Sequence, residues 1–198
     1  MTRCWTPVLF LLGLGAGCVP DLTGEAEEPY VWTEPTNSWP VQQPPEDLTG
    51  EGFFVGQVPF DFRLLDQHGD EVSLWQFYGK VVVVDVSTMW CAPCRALAET
   101  TEETYQGYLG QDVMYLTILP ENVENGPPTQ EDLNLWADTY GITAPVVADP
   151  QAEWSAASVN NGQYPVVLVL DRELVVRERV NPPDDPTLHA ALDRLLGL

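Results

Sequence analysis

The sequence predicts an α/β domain built around a central mixed β-sheet. Three observations carry this. Val81 to Val84 are four consecutive valines, as in a strand buried on both faces of a parallel sheet. A second apolar run, Val166 to Leu170, has the same character. Between them lie segments with helical spacing and recognisable caps.

The elements follow in order. Phe60, Phe62 and Leu64 alternate with Asp61 and Arg63 and read as a strand. His68-Gly69-Asp70 is a turn, and Glu71 to Leu74 return from it into a short helix near Trp75, which completes an N-terminal hairpin. The valine strand comes next, then a helix over Ala92 to Leu109. Val113 to Leu119 is a strand, with Val113, Tyr115 and Thr117 on one face. After a polar loop, Glu121 to Pro128, a helix spans Thr129 to Tyr140, with Leu133, Trp136 and Tyr140 on one side. Thr129 with Asp132 is a capping pair, and Gly141 ends the helix. Pro145 to Ala148 is a short strand and Ala152 to Ser158 a short helix. Val166 to Leu170 pairs with Leu174 to Val180 across Asp171-Arg172-Glu173, and Pro186 to Leu196 closes the chain as a helix. Residues 51–198 are thus expected to form one domain, in the order hairpin, then β-α-β-α-β-α-β-β-α.

The first fifty residues have a different composition. Arg3, the apolar run Val8 to Leu14 and the small residues Gly15, Ala16 and Gly17 form the layout of a bacterial export signal, residues 1–17. The run is shorter than the roughly 20 apolar residues a spanning helix needs. The residues before Cys18 resemble a lipobox, although Leu14 lies one position further from the cysteine than in the usual pattern. This resemblance implies a lipid on Cys18 and an extracytoplasmic, membrane-anchored protein, at the periplasm or the cell surface. Residues 18–50 then read as a tether. From Val19 to Gly50 there are six prolines and no Lys or Arg, and no hydrophobic period appears. Trp32 and Trp39 are expected to be solvated within it.

Thirty acidic residues against eight basic ones give a net charge of -22. That balance argues against nucleic acid as a partner, since phosphate binding needs Lys and Arg. The charge reads as a solvated surface on a monomer.

The chemistry is in Cys91-Ala92-Pro93-Cys94, at the junction of a buried strand and a helix. Cys91 is placed at the helix N-terminus, where unpaired N–H groups favour its thiolate. Cys94 lies one turn on, within reach of a disulfide. Cys91 is therefore expected to attack and Cys94 to resolve, in thiol–disulfide exchange through a mixed disulfide. A zinc site would need four ligands, and only His68 and His189 could join the pair. No metal and no cofactor beyond the Cys91–Cys94 disulfide is expected. A copper carrier would need another cysteine spacing, and a purely structural disulfide over so short a loop would stabilise little.

Val82-Val83-Val84-Asp85-Val86-Ser87-Thr88-Met89-Trp90-Cys91-Ala92-Pro93-Cys94-Arg95 resembles the active-site strand of a thioredoxin-fold protein. Residues 51–198 as a whole resemble a TlpA/ResA-like redoxin of the AhpC/TSA superfamily. Gly56 to Phe62, Gly79-Lys80 and the inserted helix and strand, Thr129 to Asp149, match in the expected order. The resemblance implies a thioredoxin-like fold with a central helix–strand insertion. It implies that Tyr164-Pro165 is the cis-proline pair facing the cysteines, lining a substrate groove with Trp90. It implies that Asp85 is the buried acid that handles the proton of Cys94. An Asp among valines should be desolvated and shifted toward a general-base range.

Three positions depart from the family pattern. Leu97 stands where an acid is common, Glu99 where a proline is common, and Ser87 where a Trp is common. The expected activity is disulfide exchange with substrate-protein thiols, coupled to a membrane donor or acceptor, with cytochrome maturation the role most readily implied. Two other readings stay open. One is a non-catalytic binding or scaffold lipoprotein. The other is a thiol peroxidase with antioxidant activity, for which Thr88 has the spacing but Val84 replaces the needed proline.

Overall fold

Seven strands and four helices are laid out along the computed structural model, which describes residues 30–159, 162–181 and 183–198. The expected signal segment 1–17 and Cys18 lie outside the described residues. A hairpin comes first, β1 (Arg63–Leu65) against β2 (Glu71–Ser73), followed by a 3-10 turn at Leu74–Gln76. Then come β3 (Val81–Val86), α1 (Ala92–Tyr108), β4 (Val113–Leu119), α2 (Gln130–Tyr140), β5 (Val146–Ala148), α3 (Glu153–Ser158), β6 (Val166–Leu170), β7 (Val176–Val180) and α4 (Asp185–Leu196).

The five-stranded sheet has the order β5-β4-β3-β6-β7. β3, β4 and β5 run parallel, whereas β6 and β7 are antiparallel to their neighbours. β3 is central, and every one of its residues is buried. That explains the uninterrupted valines: both faces are covered, so no polar alternation is needed. This is the thioredoxin-like mixed sheet flanked by helices, with an added N-terminal hairpin.

Sequence and structure agree on local signals. Thr129 and Asp132 form a reciprocal capping box, and Gly141 ends α2 in the left-handed conformation. They differ in the first strand. β1 begins only at Arg63, because Phe60 is exposed and its carbonyl accepts from Trp154 Nε1 at 2.8 Å instead of joining a ladder.

A larger difference lies in the segment expected to be a tether through residue 50. From Trp32 onward the chain belongs to the domain. Trp32 Nε1 donates to Ser73 Oγ at 2.9 Å, and Trp39 Nε1 donates to Asp66 Oδ2 at 2.6 Å. Asn37 and the Gln76 side chain exchange hydrogen bonds, and Gln42 N donates to Gln76 O at 2.8 Å. Pro35 and Pro44 are buried. The physical reason is that two indoles packed on the core, together with specific amide pairs, offset the ordering entropy that an acidic, proline-rich segment otherwise cannot recover. Gly79 marks the close approach: at φ 86°, a side chain there would collide with Gln42.

Candidate active site

β3 runs from the core to the sheet edge and delivers the chain to Cys91 through four residues, Ser87 to Trp90. Ser87 N donates to Ile118 O at 3.0 Å and Met89 N to Glu121 O at 3.1 Å, so the connection is tied to β4 and its following loop. Cys91 is the N-cap of α1, and its Sγ accepts from Cys94 N at 3.3 Å. Ala92 and Pro93 open the helix, where a proline costs no hydrogen bond. Cys91 and Cys94 form a disulfide with a Cα–Cα distance of 5.3 Å. Cys91 is 5 % exposed and Cys94 is fully buried, so an incoming group meets Cys91 first.

Opposite the disulfide lies the loop that opens β6. The Tyr164–Pro165 peptide is cis, and Tyr164 O lies 3.5 Å from Cys91 Sγ. Trp90, 42 % exposed, meets the Tyr164 ring edge-on at 6.3 Å. Together these residues line a groove of about 890 Å³ that runs past Cys91 to Arg179 and Asn181. Every sequence-inferred groove residue, Trp90, Tyr164 and Pro165, is therefore at one mouth with Cys91.

Asp85 lies in β3, six residues before Cys91. It is fully buried, and burial pushes its carboxyl up to about 7, partly opposed by a hydrogen bond from Ser87. Ser87 Oγ donates to Asp85 Oδ1 at 2.6 Å, while Asp85 Oδ2 has no hydrogen-bond partner. Asp85 is opposite Thr117 in the β3–β4 ladder, and Val83 is opposite Tyr115, so Asp85, Thr117 and Tyr115 share one face. Thr101 of α1 acts on Tyr115, which places α1 over that face. The Tyr115 hydroxyl is pushed well above its ordinary value by burial and then by the charge of Asp85.

Three further residues at the mouth escape a reading by motif. Arg95 donates to Met89 O at 3.1 Å and to Trp90 O at 2.6 Å, clamping the approach to Cys91. Glu121 accepts from Trp90 Nε1 at 2.6 Å and so holds the indole at the rim. Arg179 lines the far end, with its guanidinium on Phe53 O and Ser158 O at 3.0 and 2.9 Å. The adjacency of Arg95 to Cys94 was the only sequence signal among these. Of the departures, Leu97 is buried in the core and Glu99 is exposed.

Comparison with known proteins agrees with this geometry. The AhpC/TSA family profile matches residues 55–179. The chain is 28 % identical over 127 residues to the thioredoxin-like protein YneN of Bacillus subtilis (strain 168), covering 64 % of this chain and 71 % of that protein. It is 32 % identical over 124 residues to the thiol-disulfide oxidoreductase ResA of Geobacillus kaustophilus (strain HTA426), covering 63 % and 67 %. The thioredoxin domain of a Bacteroides vulgatus thiol-disulfide oxidoreductase superposes with a TM-score of 0.62 at 18 % identity, over 72 % of this chain and 98 % of that domain. The chain belongs to the AhpC/TSA family, as a ResA-like redoxin of thioredoxin fold and a thioredoxin-like disulfide oxidoreductase.

Proposed function

We propose that this AhpC/TSA redoxin exchanges disulfides with substrate proteins outside the cytoplasm, held at a membrane by a lipid on Cys18. The observation that carries the exchange chemistry is the Cys91–Cys94 disulfide, capping α1 at the floor of a groove whose other wall is the Tyr164–Pro165 loop. Anchoring rests on the export-type leader and the small residues before Cys18. In sequence, Trp32 follows Cys18 by fourteen positions.

In the reducing direction, the Cys91 thiolate attacks one sulfur of a substrate disulfide. A Cys91–substrate bond forms, the substrate bond breaks, and one substrate thiolate leaves. The α1 N-terminus, through Cys94 N, favours that thiolate. The substrate backbone lies against Tyr164 O and the Trp90 ring. The Cys94 thiol then gives its proton to Asp85 and attacks Cys91 Sγ. The Cys91–Cys94 bond closes and the second substrate thiolate leaves, so two electrons have passed to substrate. A carboxyl that titrates near neutrality can accept this proton and release it afterwards. Run backward, the same steps oxidise a substrate dithiol, with electrons leaving to a membrane acceptor.

Trapping tests the order of events. A Cys94→Ser variant, reduced and offered a peptide disulfide, is expected to accumulate a mixed disulfide on Cys91, read by intact mass. Cys91→Ser should accumulate none. An adduct on Cys94 in place of Cys91, or no adduct in either variant, would reject the assignment. Intact mass of detergent-extracted full-length protein tests the anchor, and an unmodified Cys18 would reject it.

A further inference from the structure

Four residues before Cys91 the chain carries Ser87. In this chain Ser87 is fully buried, just past the end of β3. Its backbone is fixed, because its N–H donates to Ile118 O at 3.0 Å. Two positions along an extended chain face the same way, so its hydroxyl falls beside the carboxylate of Asp85. The contact is short, 2.6 Å from Ser87 Oγ to Asp85 Oδ1. The two carboxylate oxygens are therefore unlike. Oδ1 is held by Ser87, and Oδ2, equally buried, has no partner.

We propose that Ser87 is a positioning residue for exchange: its hydroxyl locks the Asp85 carboxylate in one orientation, leaving Oδ2 as the oxygen that takes the Cys94 proton. This rests on the proposed role of Asp85 and adds what orients it. The serine hydroxyl has one proton to donate, and Asp85 is the only acceptor it meets among the described residues. A donor to the charged form also favours ionisation, so Ser87 keeps a buried acid usable as a base at neutral pH.

Other groups around Asp85 do not offer the same service. From β4, Thr117 is its ladder neighbour, and Tyr115, two pairs along, is a neutral phenol with its hydroxyl far above its ordinary range. From β6, the ladder neighbour is Val167, which is apolar. From α1, the group the proposal brings to Asp85 is Cys94, which is buried and disulfide-bonded to Cys91. On α4, Asp185 and His189 are turned to Thr104 Oγ1, at 2.9 and 3.1 Å. Of these groups, Ser87 alone hydrogen-bonds the Asp85 side chain.

The test follows the Asp85 carboxyl carbon by NMR through a pH titration of the oxidised protein, beside the exchange rate of the reduced protein with a peptide disulfide. Ser87→Ala is expected to raise the Asp85 midpoint by about one pH unit. The exchange rate should fall about tenfold at pH 6 and recover toward the parent value at pH 9. Ser87→Thr, which keeps the hydroxyl, should restore both. If Ser87→Ala does not fold, Ser87→Gly makes the same deletion with less bulk. A folded deletion variant with an unmoved Asp85 midpoint would overturn the proposal. The role of Asp85 is read separately: if Asp85→Asn exchanges at the parent rate while Ser87→Ala still moves the midpoint, the base assignment fails and the orienting contact stands. In the Asp85→Asn background, Ser87→Ala should leave the pH profile unchanged, and a shift there would also overturn the proposal.

Discussion

Two fully buried aspartates, Asp66 beside the N-terminal hairpin and Asp85 in the central strand, are treated in opposite ways. The Asp66 carboxylate accepts three hydrogen bonds. His68 N and Asp70 N reach Oδ1 at 2.8 and 3.0 Å, and Trp39 Nε1 reaches Oδ2 at 2.6 Å. Asp85 accepts one, and its second oxygen is unpartnered. Beside Asp85 the hydroxyl of its ladder neighbour Thr117 is also buried without a partner, whereas the strap formed by residues 32–50 and the hairpin tie their polar groups into pairs. Native folds satisfy buried polar groups almost everywhere. Where one region does so and another does not, the second is where reactivity is held at a cost in stability.

The contrast can be broken at either carboxylate, and the largest effect should come from Asp66. Asp66→Ala leaves two backbone donors and an indole without their acceptor. We expect a loss of about 3–5 kcal/mol in urea unfolding, from roughly 1–3 kcal/mol for each unmet group, less what water recovers. An undiminished stability would show that the hairpin and strap hold without their central acceptor.

Asp85 should respond in the other direction. Its carboxyl rises from 3.8 in the unfolded chain to about 7 in the fold. Between these values the folded state holds a proton that the unfolded state has lost. Stability therefore falls as pH rises from about 4 to about 7, and the deficit persists above 7. At about 1.4 kcal/mol per pH unit this is of order 4 kcal/mol. Asp85→Asn is therefore expected to raise the melting temperature at pH 8, to change it little at pH 3.5, and to slow exchange. Equal melting shifts at both pH values would remove the ionisation argument.

The smallest change sharpens the comparison. Trp39→Phe removes one donor from Asp66 and keeps most of the apolar contact. It should cost about 1–2 kcal/mol and leave the exchange rate untouched. A change in rate would mean that the strap communicates with the cysteines.

What was readable in the sequence follows the same division. Val81 to Val84, Val113–Leu119 and Val166–Leu170 were legible because a strand covered on both faces needs a largely apolar run. Thr129, Asp132 and Gly141 were legible because caps are local. Cys91, Cys94, Pro165 and Asp85 were found through one motif and the resemblance built on it. The strap was not legible. Trp32, Asn37 and Trp39 follow no period, and their partners lie 27 to 41 residues away. Ser87 could be noticed as a departure but not explained. The signal was present, since residues 85 and 87 of an extended segment share a face, yet only the folded chain shows the two side chains 2.6 Å apart. Arg95, Glu121 and Arg179 act through backbone carbonyls or an indole, which no residue pattern announces.

The central claim is that a buried carboxyl titrating near neutrality drives resolution by Cys94. The most direct measurement is the pH dependence of that step in a single turnover. Reduced protein is loaded with a peptide on Cys91, and the release of the second thiol is followed from pH 5 to pH 9. The expected result is a rate that rises through a midpoint near 7 in the parent, with that rise lost in Asp85→Asn. Superimposable profiles for the two proteins would contradict the account.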